Sequence, residues 1–207
     1  FVLCSPKPFN HLEFRISAPS CDGTLAQENT GSLTQMRVRK ISEQQDSFGL
    51  THTTVVLSFP ASVTYSATDP ADAPEPVNFK SWSPERPWLY PFTLNADEDT
   101  VDGYFAMRCF SVEKDSKGIL RFCLNHKPYF LHGILDQGYW SDGLMTAPCD
   151  EAFVYDISLA KGLGFNMLRK HIKIESLRWY YHCDRLGMIV WQDMVSGGST
   201  YHMPWVC

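Results

Sequence analysis

The 207-residue sequence predicts a chain in two parts, an antiparallel β-sandwich followed by the opening strands of a parallel α/β barrel. Three observations predict it. Period-2 alternation of apolar and polar residues dominates roughly the first 120 residues, where no helical stripe is visible. Helical periodicity enters only afterwards, and there it alternates with short apolar runs. Finally, two Leu-Gly helix stops, Leu163-Gly164 and Leu186-Gly187, lie 23 residues apart, the length of one strand–helix unit.

In the first part, residues 12–16 (LEFRI) and 36–39 (MRVR) alternate as strands with one buried face do. Residues 53–59 form a β-branched apolar run, and 104–112 and 120–124 continue the two-residue period. The stretch 67–76 (ATDPADAPEP) is rich in proline and acid and reads as a solvated loop. Short strands punctuated by glycine and proline over this length predict an immunoglobulin-like β-sandwich for residues 1–123.

From 124 to 207 the pattern changes. Residues 128–135 (PYFLHGIL) are almost continuously apolar, which predicts a strand covered on both faces. Asp150 is positioned to cap a helix whose Phe153, Ile157 and Ala160 share one face. Gly164 supplies the left-handed residue that ends it. Residues 165–169 are a second strand, 175–186 a second helix, and 188–191 a third strand. Strand, helix, strand, helix, strand defines a parallel sheet. A doubly wound nucleotide-binding sheet would carry a phosphate loop after its first strand, but residues 133–138 (GILDQG) contain neither G-x-G nor G-K-[ST]. A (β/α)8 TIM barrel needs about 250 residues, so this part predicts the first three of its eight strands. Two open sheet edges and an uncovered face make such a piece incomplete by itself. Its oligomeric state stays open.

Composition narrows the partners. Eighteen Lys and Arg against 23 Asp and Glu leave a net charge of −5, which argues against nucleic acid. No apolar run approaches the roughly 20 residues that a membrane helix requires. The seven cysteines are scattered, without the spacing of a disulfide scaffold or a zinc site. They read as free thiols in a reducing compartment, which predicts a cytoplasmic protein with no metal and no cofactor.

Five segments then carry a resemblance. Leu124 with residues 125–133 (NHKPYFLHG) resembles the "LNGKP-x-x-x-x-G" entrance to the barrel of glycoside hydrolase family 2, the β-galactosidases, β-mannosidases and β-glucuronidases. Residues 82–90 (WSPERPWLY) are similar to its "W-S-P-E-x-P-x-L-Y" segment, and 104–108 (YFAMR) to its "F-G-x-R" strand. Residues 164–171 (GFNMLRKH) resemble "G-F-N-x-x-R-x-S-H", and 183–191 (CDRLGMIVW) resemble "C-D-x-x-G-[ML]-x-V-W". All five keep the family order. There are departures: His126 and Ala106 stand where glycine is usual, and Lys170-His171 lacks the serine of "S-H". An Asn-Gly turn takes positive φ at both central positions, so His126 strains or reshapes it.

The resemblance implies hydrolysis of O-glycosyl bonds by double displacement, with a carbohydrate substrate. That chemistry needs an acid and a carboxylate nucleophile roughly 5 Å apart. In the family the acid/base is the glutamate of an Asn-Glu pair after strand four, and the nucleophile follows strand seven. The first three strands hold neither, so the isolated chain is expected to be inactive and to contribute no catalytic residue. The alternative is a non-catalytic sandwich module that binds glycans or a protein partner.

Residues at the C-terminal ends of barrel strands face the pocket, which makes His171, Arg169, Asp193 and Asp136 the candidates for substrate binding. His171 falls on the family histidine expected to hydrogen-bond sugar hydroxyls, against the commoner fate of a histidine bound to a neighbouring carbonyl. Arg169 either holds the nucleophile's charge through bidentate bonds or, the favoured reading, pairs with Asp193; Asp193 reads as a sugar ligand or as an organiser of His171 or Arg169. Asp136 is the weakest, because aspartate after a strand often only forms a turn. Tyr139-Trp140 is a stacking pair or loop packing. His182 beside Cys183 is no nucleophilic dyad, since adjacent helix positions point apart.

Overall fold

The computed structural model describes residues 2–5, 12–16, 34–35, 37–58 and 80–195, with side chains described within 42–54 and 80–195. The proline- and acid-rich segment 67–76 lies outside the described residues. Two compact units divide the chain. Of the described residues, Ser81–Pro87 and those from Arg108 onward form one; those up to Lys80, with Trp88–Met107, form the other.

Among the described residues the first unit has the strands β1 (Val2–Ser5), β2 (Leu12–Ile16), β3 (Thr34–Gln35), β4 (Arg37–Gln45), β5 (Thr51–Ser58), β6 (Tyr90–Ala96) and β7 (Asp99–Phe105). All pair antiparallel, in one sheet of order β1-β5-β4 and another of order β3-β2-β6-β7. Strand β6 alternates strictly between buried and half-buried residues, with Tyr90, Phe92, Leu94 and Ala96 inside. Gly103, in β7, sits opposite Phe92, whose ring occupies the space a Cβ would need. One bonded pair along, Tyr90 stacks on Phe105 with centroids 5.2 Å apart.

The second unit opens with β8 (Phe110–Lys114), β9 (Leu120–Leu124) and β10 (Lys127–Pro128), a small antiparallel sheet. Asn125 (φ 51°) and His126 (φ 62°) make the β9–β10 turn, both left-handed as the position demands. The His126 ring, Nδ1 2.8 Å from Glu113 Oε1, is held by a neighbour that glycine would not need. Then come β11 (Gly133–Asp136), α1 (Asp150–Gly162), β12 (Met167–Lys170), α2 (Leu177–Leu186) and β13 (Ile189–Gln192). The three strands are parallel in the order β11-β12-β13, with Asp136 level with Lys170 and Lys170 level with Gln192. Phe153, Ile157 and Ala160 of α1, Trp179 and Cys183 of α2, Leu168 and Met188 form the core beneath the helices.

Several elements depart from the sequence expectation, each for a local reason. The stretch 104–112 is not one strand: β7 ends at Phe105, and β8 starts at Phe110 in the other unit. Between them, Cys109 donates its amide to Asn125 Oδ1 and accepts the Asn125 amide, while Arg108 turns to Asp184. The run 128–135 is also split. Pro128 ends the hairpin sheet, Phe130 is 82% exposed, and only Gly133–Asp136 joins the parallel sheet, with Leu135 half exposed. Asp150 is the first helical residue of α1, after an N-cap at Cys149, where its charge favours the helix start without a side-chain cap bond. Helix α2 begins at Leu177 instead of 175, because Ser176 is an N-cap with extended backbone (φ −64°, ψ 150°). Gly187 (φ 74°) ends it left-handed, and the Met188 amide returns to Cys183 O at 2.8 Å.

Candidate functional site

Parallel pairing sets the carboxyl ends of β11, β12 and β13 side by side, so residues 136–138, 169–171 and 192–193 meet at one end of the sheet. The backbone continues the ladder there: the His171 amide donates to Asp136 O at 2.9 Å and the Asp193 amide to Lys170 O at 3.1 Å.

The four residues expected from sequence occupy this end in different states. Arg169 donates Nε to Asp193 Oδ1 at 3.0 Å and Nη2 to Oδ2 at 2.9 Å, a bidentate pair. Those two bonds hold the Asp193 carboxyl below its ordinary pKa and raise that of the Arg169 guanidinium. His171 follows β12 directly, with Nδ1 3.0 Å from Gln137 Nε2. With the Gln137 amide N–H turned to the ring, Nδ1 accepts, an arrangement that assigns the proton to Nε2. Asp136 splits its oxygens: Oδ1 accepts the Gly138 amide at 2.8 Å, a turn-forming bond, and Oδ2 meets Lys170 Nζ at 2.8 Å. Tyr139 is 68% exposed, whereas Trp140 packs edge-on against Phe153 at 5.9 Å.

Other residues also shape this end. Lys170 is 1% exposed, yet its ammonium is met by two carboxylates, Asp136 and Glu175 Oε1 at 3.2 Å, and by the face of Trp179 at 4.1 Å. Lys173 Nζ reaches Glu175 Oε1 at 2.6 Å. It also donates to Met145 O at 2.7 Å and Gly138 O at 2.9 Å. Gln192 donates to Lys173 O at 2.8 Å and accepts from the Tyr180 hydroxyl. Gln137, Lys170, Lys173 and Glu175 were not among the sequence candidates. One signal marks Lys170: it shares the buried phase of β12 with Leu168, a lysine where the alternation calls for an apolar side chain.

Elsewhere, His182 accepts from Arg185 Nε at Nδ1 (2.9 Å) and lies 3.3 Å from Asp150 through Nε2. Burial pushes the adjacent Cys183 thiol well above its ordinary pKa, which makes it inert as a nucleophile. Cys109, Cys123, Cys149 and Cys183 are free thiols. Among the described residues, no group of three His, Cys, Asp or Glu side chains is placed to hold a metal ion. No helix there is long and apolar enough to cross a membrane.

No protein-family model and no curated protein matches the chain. Solved structures do. A β-D-glucuronidase from Dictyoglomus thermophilum is 15% identical over 93% of this chain and 26% of its own, with a TM-score of 0.58. Bacteroides uniformis β-glucuronidase 2, solved covalently bound to cyclophellitol-6-carboxylate aziridine, is 22% identical over 93% of this chain and 20% of its own, at 0.56. A Faecalibacterium prausnitzii β-glucuronidase is 17% identical over 89% and 23%, also at 0.56. The chain therefore has the fold of part of these enzymes, and it spans 14–26% of the length of such matches.

Proposed function

We propose that the chain is a portion of a retaining glycoside hydrolase of the family 2 type. In this reading residues 1–123 are its immunoglobulin-like sandwich, and 124–207 are the first three strands of its (β/α)8 barrel. The observation that carries the proposal is the fold likeness to β-glucuronidases over 93% of the chain, joined to the five ordered motifs. The strand-end cluster supports it, since a barrel enzyme builds its pocket at that end.

The substrate is a β-linked glycoside, which His171 meets as a donor through Nε2 and Asp193 as an acceptor. Arg169 keeps Asp193 ionised, and Asp136 organises the loop that begins at Gln137. Double displacement needs an acid and a carboxylate nucleophile roughly 5 Å apart. In the family these follow strands four and seven, whereas this reading gives the chain strands one to three, where Asp136, Glu175 and Asp193 serve as ion-pair partners of lysine or arginine. The isolated chain accordingly binds sugar without turning it over. Free thiols fit a cytoplasmic setting.

The test is titration of the chain with methyl β-glycosides of glucuronate, galactose and mannose while the His171 and Asp193 side-chain NMR signals are followed. Saturable shifts with one sugar, abolished in His171→Ala, are expected. Silence at both residues with all three would overturn the assignment of this end as a sugar pocket. Saturation that leaves these residues unmoved would favour a glycan-binding module on another surface. A panel of chromogenic β-glycosides checks the predicted lack of turnover, and saturable hydrolysis would refute it.

A further inference from the structure

The loop 137–146 leaves the first parallel strand and returns toward the helix α1 start, with an exposed Tyr139 on it. A lysine from elsewhere holds its two ends together. An ammonium has three N–H donors, and Lys173 uses all of them on three oxygens: Gly138 O, Met145 O and the Glu175 carboxylate. The side chain is 11% exposed and Glu175 only 5%, so these charge-assisted bonds form away from bulk water. Gly138 is built around the same point. Its φ is +64°, and a Cβ there would collide with the Glu175 carboxylate and the Lys173 ammonium. Next to Gly138 is Gln137, whose amide holds the His171 ring.

We infer that Lys173 is a tethered monovalent cation that clamps the 137–146 loop shut and, through Gln137, sets the donor face of His171. It is a positioning residue that acts on a ligand only through Gly138, Gln137 and His171. That His171 meets sugar rests on the reading above; the clamp itself does not.

Removing the ammonium but leaving its oxygens creates a gap that a free ammonium ion fits. The experiment uses the full chain without sugar, in wild type, Lys173→Ala and Lys173→Met. Hydrogen exchange reads the amides of Gly138, Trp140, Leu144 and Thr146, all hydrogen-bonded within this turn. Nitrogen NMR reads which His171 nitrogen carries the proton. In both variants exchange at these amides rises about tenfold or more, the loss expected of one charge-assisted bond. His171 changes from the Nε2–H form to a mixture. Ammonium chloride restores both signals in Lys173→Ala, whereas sodium chloride at equal ionic strength does not. In Lys173→Met the retained stem fills the gap and ammonium has no effect.

Unchanged exchange and an unchanged His171 ring in either folded variant overturn the clamp. Equal recovery with sodium chloride, or recovery of Lys173→Met by ammonium, overturns the tethered-cation account. Should Lys173→Ala fail to fold, Lys173→Met decides by the first criterion. Sugar binding that fails while the clamp signals behave as stated would count against the functional reading alone.

Discussion

Lys170 and Asp136, level with each other on adjacent parallel strands, join through Nζ and Oδ2 at 2.8 Å with the lysine almost wholly out of water. Such a cation is tolerable only because Glu175 and the Trp179 ring complete its surroundings. Lys170→Met keeps most of the packing volume but takes the ammonium from Asp136 and leaves Glu175, itself 5% exposed, to Lys173 alone. Breaking one side of a buried pair costs about 3 kcal/mol or more. Urea denaturation followed by tryptophan fluorescence is expected to show a loss of that order. A Lys170→Met, Asp136→Asn double variant, which leaves Glu175 to Lys173, should recover part of it, and a loss below about 1 kcal/mol in the single variant would refute the network.

Ile172, between His171 and Lys173, has φ +46°, an unfavourable conformation for a β-branched side chain. The twist lets His171 and Lys173 serve different partners within three residues: Gln137 on one side, the Gly138 and Met145 carbonyls on the other. Strain of this kind persists where the surroundings enforce it, commonly at functional sites. Asparagine tolerates the left-handed region far better, and the Ile172 side chain is 48% exposed, so little packing is lost. Ile172→Asn is therefore expected to stabilise the chain by about 1 kcal/mol. A thermal or urea midpoint that falls instead would show that the isoleucine contributes more than it strains.

The two glycines that end the helices offer a controlled comparison. Gly164 (φ +90°) has open space around it, and Gly187 (φ +74°) faces Pro84 O and the Lys161 ammonium, which itself donates to Pro84 O at 2.7 Å. Alanine at 164 meets only the left-handed penalty, about 1–2 kcal/mol. Alanine at 187 adds a collision with backbone and must also disturb the lysine bond. Gly187→Ala is expected to cost about 1 kcal/mol or more beyond Gly164→Ala, and equal costs would mean that the 81–87 segment yields without resistance.

The helices, their glycine stops and the apolar faces of Phe153, Ile157 and Ala160 were legible because periodicity and punctuation are local signals. Strand β6 was not read from the sequence, since Pro91 and Asn95 interrupt its pattern; yet its alternate residues are buried once β2 and β7 flank it. The break between β7 and β8 was likewise hidden: Asn125, distant in sequence, diverts the chain at Cys109. At the strand ends, the pairing of Arg169 with Asp193 followed from complementary charge one strand apart. Lys173 and Glu175 escaped notice because their partners are carbonyls and one another, and backbone acceptors leave no mark in a sequence.

Arg169 and Asp193 give the last prediction its pH dependence. The guanidinium donates two bonds to the carboxylate and depresses its pKa in the folded chain. A folded-state pKa below the unfolded one means that the stabilisation is fully present above the ordinary aspartate value of about 3.9. It is lost as pH falls through the depressed folded value, when the carboxyl takes up a proton and one of the two bonds loses its acceptor. The Asp193 carboxyl carbon, followed by NMR from pH 6 downward, is expected to titrate below that ordinary value. In Arg169→Met the midpoint should return toward it, and in Arg169→Lys it should fall between, because a lysine cannot reproduce the two parallel bonds. Arg169 is half exposed, so added salt should move the wild-type midpoint upward, toward the Arg169→Met value. A wild-type midpoint at or above the ordinary value, or one indifferent to both substitutions, would show that the bidentate pair does not persist in solution.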